Sequence, residues 1–294
     1  MFCSLVWGST FYAIKFQITE GYPLLSVFHR FIISAVLITL LALKKGVFFP
    51  KQRSFHFYFF FQGLFLFCMN YAFTYASEKY ISSAVVALIF MAMLFFNMVG
   101  MHLFFRKPIA SAVKWGAVLG GTGLFLIFWR QLHEVNFNRE FFLGAGLALT
   151  AAFFASLGNM FSFGSSQRKI PVLQSTTWAM IYGAALNAIL CIAFEDIFHV
   201  PAAPEYWISL IYLAVPGTVL AFLGYLTLIA RLGVERAVYT TVVSPVVALI
   251  ISTFFESFQW SFLTFLGIAL TLIGNIFTLR KAQQIRTVNA VPKA

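Results

Sequence analysis

Ten mostly apolar stretches, each long enough to cross a bilayer, follow one another along this chain with only short polar breaks between them. They lie near 2–18, 24–43, 55–76, 82–105, 112–129, 141–163, 172–193, 206–229, 237–255 and 260–279. A spanning helix needs roughly 17–25 such residues. The breaks carry the charges, prolines and turn residues, as at Lys44–Gly46, Arg106–Pro108 and Glu195–Glu205, and none has room for a soluble domain. Only 10% of the 294 residues are charged, against roughly 25% in soluble domains, so a water-facing surface of the ordinary kind is excluded. The expected fold is an all-α integral membrane protein with ten transmembrane helices.

The placement of charge supports that count. With the N-terminus inside and the loops alternating, the inner side holds fifteen Lys and Arg, and the outer side holds three, Lys79, Arg130 and Arg139, with eight of the nine acids. Translocated loops resist Lys and Arg, so both termini are expected on the cytoplasmic side, and a miscounted helix would scramble the alternation. The formal net charge of +11 is therefore a property of membrane loops rather than of a phosphate-binding face, and nucleic acid is not an expected partner. The first apolar run lacks a basic start and a small-residue cleavage site, so no cleavable signal peptide is expected. The chain opens almost inside that run, so its first helix reads as trimmed.

The two halves echo each other. Tyr71 begins YAFTYASEKYISSAVVALIFM, and Tyr225, 154 positions later, begins YLTLIARLGVERAVYTTVVSP. Gly116 and Gly123 pair with Gly267 and Gly274, and Pro23 with Pro171, so the offset drifts only from 148 to 154. The expected organisation is one five-helix repeat over 1–134, a second over 135–281 and a cytoplasmic tail over 282–294. Five is odd, so the second copy enters the membrane inverted, an arrangement that recurs in secondary transporters with the solute near the midplane.

Polar residues inside apolar runs carry the chemical information. Lys15 falls toward the outer end of the first run, where it can snorkel, and Arg30 about two turns into the second. A centred Arg costs at least about 2.5 kcal/mol on insertion scales, so Arg30 needs a partner or a wet cavity. Together the two bases point to a solute with a carboxylate or other anionic group. His29 reads as a packed neighbour on another face. Trp7, Asn70, Tyr71, Asn97, Asn159, Trp178, Tyr182 and Tyr225 are the remaining candidates for solute contact, although buried amides equally serve as interhelical glue. Pro216 and Pro245 fall inside runs, where each removes a backbone donor and favours a kink, as a gating point or as a packing feature. The spaced glycines, with GGTG at Gly120, read as helix-packing surfaces, not a phosphate loop. No acid falls deep in a run, since Glu78 and Glu256 sit at outer ends, which favours a facilitator or exchanger over a proton-driven pump.

Catalysis, cofactor and metal find no support. His29, His56, His102, His133 and His199 show no paired ligand spacing, Cys3, Cys68 and Cys191 are widely separated in apolar stretches, and neither GxSxG nor HExxH occurs.

WGSTFYAIK from Trp7, FHRF around Arg30, Ala76 through ISSAVVALIF, and LGVERAVYTTVVSPVVALIISTFFE from Leu232 to Glu256, taken in this order, resemble the drug/metabolite transporter superfamily, specifically its EamA-type ten-helix exporters. The resemblance implies two five-helix repeats around a central cavity and export of an amino acid, another metabolite or an amphipathic compound across the inner membrane. It also implies that Trp7, Arg30 and the aromatics of the third, seventh and eighth helices lie near that cavity. Two features depart from the pattern. Met91 stands where the repeat would place the proline seen at Pro245, and FFRKP from Phe104 replaces an acidic Leu-Gly-Glu-like segment. The expected partners are a small-molecule solute and membrane lipids, as a monomer or a homodimer. A sensor or interaction subunit without flux, or a lipid-handling protein, are the alternatives on the same fold.

Overall fold

In hydrocarbon every backbone N–H and C=O must find an internal partner, which apolar runs of this length achieve as helices. The computed structural model describes residues 2–19, 21–106, 111–134, 139–237, 244–255 and 260–274, and every regular element among them is helical. In chain order the helices are α1 (Phe2–Ile18), α2 (Pro23–Lys44), α3 (Phe55–Ser77), α4 (Ser83–Phe105), α5 (Ser111–Glu134), α6 (Arg139–Gln167), α7 (Val172–Phe194), α8 (Pro204–Leu232), α9 (Ser244–Phe255) and α10 (Phe262–Gly274). A single turn, Val234–Ala237, lies between α8 and α9. By length and composition α2, α3, α4, α6, α7 and α8 can each cross a membrane. The proposed tail, Glu256 and the segment from Asn275 onward lie outside the described residues.

Local sequence sets the ends. Pro23 and Pro204 open α2 and α8, where a missing N–H costs nothing. Gly46 and Gly233 follow the ends of α2 and α8 with φ of 66° and 87°, a left-handed turn that a side chain would oppose. Two helices leave the α register inside the span. Gly63–Met69 of α3 and Val215–Leu220 of α8 are π-helical, and their first residues are 152 positions apart, within the offset of the two halves. Helix α4 is interrupted at Phe90–Met91, although Met91 is not a proline. Pro245 occupies the second position of α9, with 238–243 outside the described residues, so no kink at Pro245 is described.

The packing pairs helices of the two halves. Helices α2 and α7 run antiparallel, with Leu25 N donating to Glu195 Oε2 (2.9 Å) at one end and Gln174 Nε2 to Val47 O (2.7 Å) at the other. Helices α5 and α10 are also antiparallel and meet through the glycines singled out in sequence: a Cβ on Gly274 would fall 2.7 Å from Gly116 O, and one on Gly267 would strike Gly123 O. Helix α1 packs on α8 and α9, and α6 correspondingly on α3 and α4. Large apolar side chains such as Leu40, Phe95, Leu103, Ile192, Ile208 and Phe254 stay exposed on the periphery. A surface of this kind fits hydrocarbon rather than water.

Candidate functional site

Where α1, α2, α3, α4, α6, α8 and the start of α9 converge, a cavity of about 90 Å³ remains, lined by Trp7, Thr10, Arg30, Asn70, Tyr71, Met93, Asn159, Phe222 and Tyr225 among others. Several water molecules would fit in it on the usual measure of roughly 10–15 Å³ each. Its walls are mainly aromatic and aliphatic, and its charge comes from Arg30.

Arg30 is fully buried. Its Nε donates to Thr218 Oγ1 at 2.8 Å. Its terminal nitrogens donate at longer range, Nη1 to Tyr75 OH (3.4 Å) and Nη2 to Tyr71 OH (3.4 Å) and Gly217 O (3.5 Å). The guanidinium carbon also lies 4.6 Å from the Tyr71 ring centroid, a cation–π distance. All these oxygens are neutral. A buried cation is costly unless its charge is met, and this one keeps the fork of its terminal nitrogens only loosely engaged at the cavity wall.

The π-helical segment of α8 builds half of this arrangement. Pro216 has no N–H to donate, and Ala221 N reaches back five residues to Pro216 O. Thr218 Oγ1 donates to Leu213 O (2.8 Å) while accepting from Arg30. Gly217 O takes Trp7 Nε1 at 3.1 Å. A Cβ at 217 would sit 2.9 Å from Thr10 Cγ2, so a larger residue there would force Thr10 to shift. Trp7 in turn packs on Phe222 and edge-on to Tyr225, with ring centroids 5.1 and 5.0 Å away.

Elsewhere on the wall, Asn159 forms an amide pair with Asn97. Asn159 Nδ2 donates to Tyr225 OH (3.0 Å) and Asn97 Oδ1 (3.3 Å) and approaches Met93 Sδ (3.7 Å). The other terminal atoms, Asn159 Oδ1 and Asn97 Nδ2, are buried with no partner among the described residues. Asn70, higher on α3, spends its Nδ2 on Leu66 O (3.2 Å).

Six of the candidates from sequence thus meet at one cavity: Trp7, Arg30, Asn70, Tyr71, Asn159 and Tyr225. Three do not. Lys15 is half-buried in the last turn of α1 and is not among the lining residues. Trp178 and Tyr182 lie on a face of α7 turned toward the start of α3. There Trp178 Nε1 donates to Phe48 O (2.9 Å) and Tyr182 OH pairs with His56 Nδ1 (2.9 Å). No residue of α7 is among those that line the cavity, so the expectation of solute contact from its aromatics is not met there. Thr10, Tyr75, Gly217 and Thr218 were missed. Tyr75 follows Tyr71 by one helical turn and was findable by that spacing. Among the described residues no three His, Cys, Asp or Glu side chains gather as a metal site.

The sequence model of the EamA-like transporter family matches this chain twice, over residues 1–129 and 142–280. No curated protein matches it. A solved structure described as "Crystal structure of protein" is similar in fold, with a TM-score of 0.75 and 18% identity over 97% of this chain and 96% of its own.

Proposed function

This chain belongs to the EamA-like transporter family, and on that premise we propose that it is a secondary transporter that exports a small anionic solute through the Arg30 cavity. The carrying observation is the buried guanidinium at the cavity wall, bonded among the described residues only to neutral oxygens. Thr218 anchors Nε, and a carboxylate entering the cavity displaces the longer contacts to Tyr71, Tyr75 and Gly217. It gains two parallel charge-assisted bonds that none of those oxygens supplies.

The architecture in this reading is ten spans in two inverted repeats, 1–134 and 135–281, with a cytoplasmic tail at 282–294, both termini cytoplasmic, in the inner membrane. Supporting it are the double family match, the antiparallel α2–α7 and α5–α10 pairs, and the paired π-helical segments. Alternating access follows by rocking of the halves about the cavity. Export is what the family resemblance implies. No acid lies deep in a described span, which favours facilitation or exchange over proton-driven pumping.

Reconstitution in liposomes tests the proposal. Saturable flux of small carboxylates is expected, at least about tenfold lower in Arg30→Gln, with no uphill movement under an imposed pH gradient. Equal flux of carboxylates by wild type and Arg30→Gln at equal protein levels would overturn it.

A further inference from the structure

The cavity has two polar poles, and only one of them is charged. Arg30 and Thr218 mark the first, and Asn159, Asn97 and Tyr225 the second. Thr218 and Tyr225 are seven residues apart on α8, so the poles are separated by about 10 Å along that helix. Asn159 is fully buried and Asn97 nearly so, yet each leaves one terminal amide atom without a partner among the described residues, Oδ1 on the former and Nδ2 on the latter. Leaving such a buried atom unsatisfied costs about 1–3 kcal/mol, so Asn159, which lines the cavity, and Asn97, which bonds to it, together form a vacancy for hydrogen bonding. Turning both amides over exchanges donor for acceptor but leaves one of each unspent. The matching group is therefore neutral and can both donate and accept.

We infer that the Asn159–Asn97 pair is a second solute subsite, one that takes a hydroxyl or primary amide at the end of the solute opposite its carboxylate. The inference rests on the reading of Arg30 as the carboxylate site and adds selection at the far end. Aromatic walls from Trp7, Phe222 and Tyr225 enclose the short apolar link between the two groups. A solute without the terminal group leaves both amide atoms buried and unpaired, and that is how such a site discriminates.

Thermal unfolding of the purified protein in detergent measures the binding, since a ligand of the folded state raises the midpoint. The probes are butyrate, its terminal-hydroxy analogue and succinamate, with the corresponding longer acids. Wild type is expected to bind the hydroxy and amide forms about tenfold more tightly than the plain acid. In Asn159→Leu that preference falls to within about twofold while plain-acid affinity stays within about threefold, and Arg30→Gln weakens all three. Asn97→Leu is expected to lose the same preference and serves where Asn159→Leu does not fold. Equal binding of plain and substituted acids by wild type, or a preference that survives in both Leu variants, overturns the subsite and leaves the Arg30 reading standing. Tightest binding of the terminal-amino analogue overturns the neutral group specifically. If no carboxylate stabilises the wild-type protein, the Arg30 reading falls and takes the subsite with it.

Discussion

Arg30 combines one short bond, 2.8 Å to Thr218, with three contacts of 3.4–3.5 Å to Tyr71, Tyr75 and Gly217. The short bond fixes the aim of the guanidinium, and the long ones leave it exchangeable. Hydrogen bonds to charged groups contribute about 1.5–3 kcal/mol. Thr218→Val is accordingly expected to weaken carboxylate binding by roughly tenfold or more without unfolding the protein, as read by a binding isotherm. Lys15→Gln and Trp178→Phe, both away from the cavity, are expected to leave that affinity within about twofold. A Lys15 effect as large as that of Thr218 would show that the positive region extends beyond the cavity. Arg30, Asn70 and Asn159 were legible because a polar side chain in hydrocarbon demands a reason to be there. Trp178 and Tyr182 were not, because aromatic residues suit packing and solute contact equally, and which helices surround the cavity is set by packing that sequence does not reveal; α7 contributes no lining residue.

At the scale of helices, close approach decides where small residues sit. On α6, a Cβ at Gly158 would lie 2.9 Å from both the Cα and the N of Leu66, in the π-helical segment of α3, whereas a Cβ at Gly146 meets nothing within 4 Å. Backbone cannot step aside as a flexible side chain can, so Gly158→Ala is expected to cost about 1–3 kcal/mol. Gly146→Ala is expected to be neutral or to stabilise by up to about 1 kcal/mol. Thermal unfolding of the two variants in detergent checks the contrast. Pro216→Ala returns an amide N–H to α8 and favours the α register. That withdraws Gly217 O and Thr218 from Trp7 and Arg30, and a severalfold weaker affinity at unchanged stability is the expected result, about 1 kcal/mol. The glycine pairs of α5 and α10 were readable from their equal spacing in the two halves. The π-helical register was not, because only Pro216 advertises it in α8 and nothing does in α3. The interruption of α4 at Phe90–Met91 likewise has no proline to announce it.

At the scale of the whole molecule, the membrane class was legible from composition and the alternation of charge, and the family match agrees with it. The cavity was not, since the void is made by seven helices at once and belongs to no single stretch of sequence. Inverted halves require the midpoint and the C-terminus to emerge on opposite faces, so reporter tags at 136 and after 282 are expected outside and inside respectively. The account stands most directly on the claim that one cavity opens in turn to both sides. Thr10 lines it and is buried, so Thr10→Cys, in a protein with Cys3, Cys68 and Cys191 replaced, reports access to a membrane-impermeant thiol reagent. Labelling from either face, slowed by a bound carboxylate, is the predicted result. Labelling from one face alone, whatever solute is supplied, would contradict it.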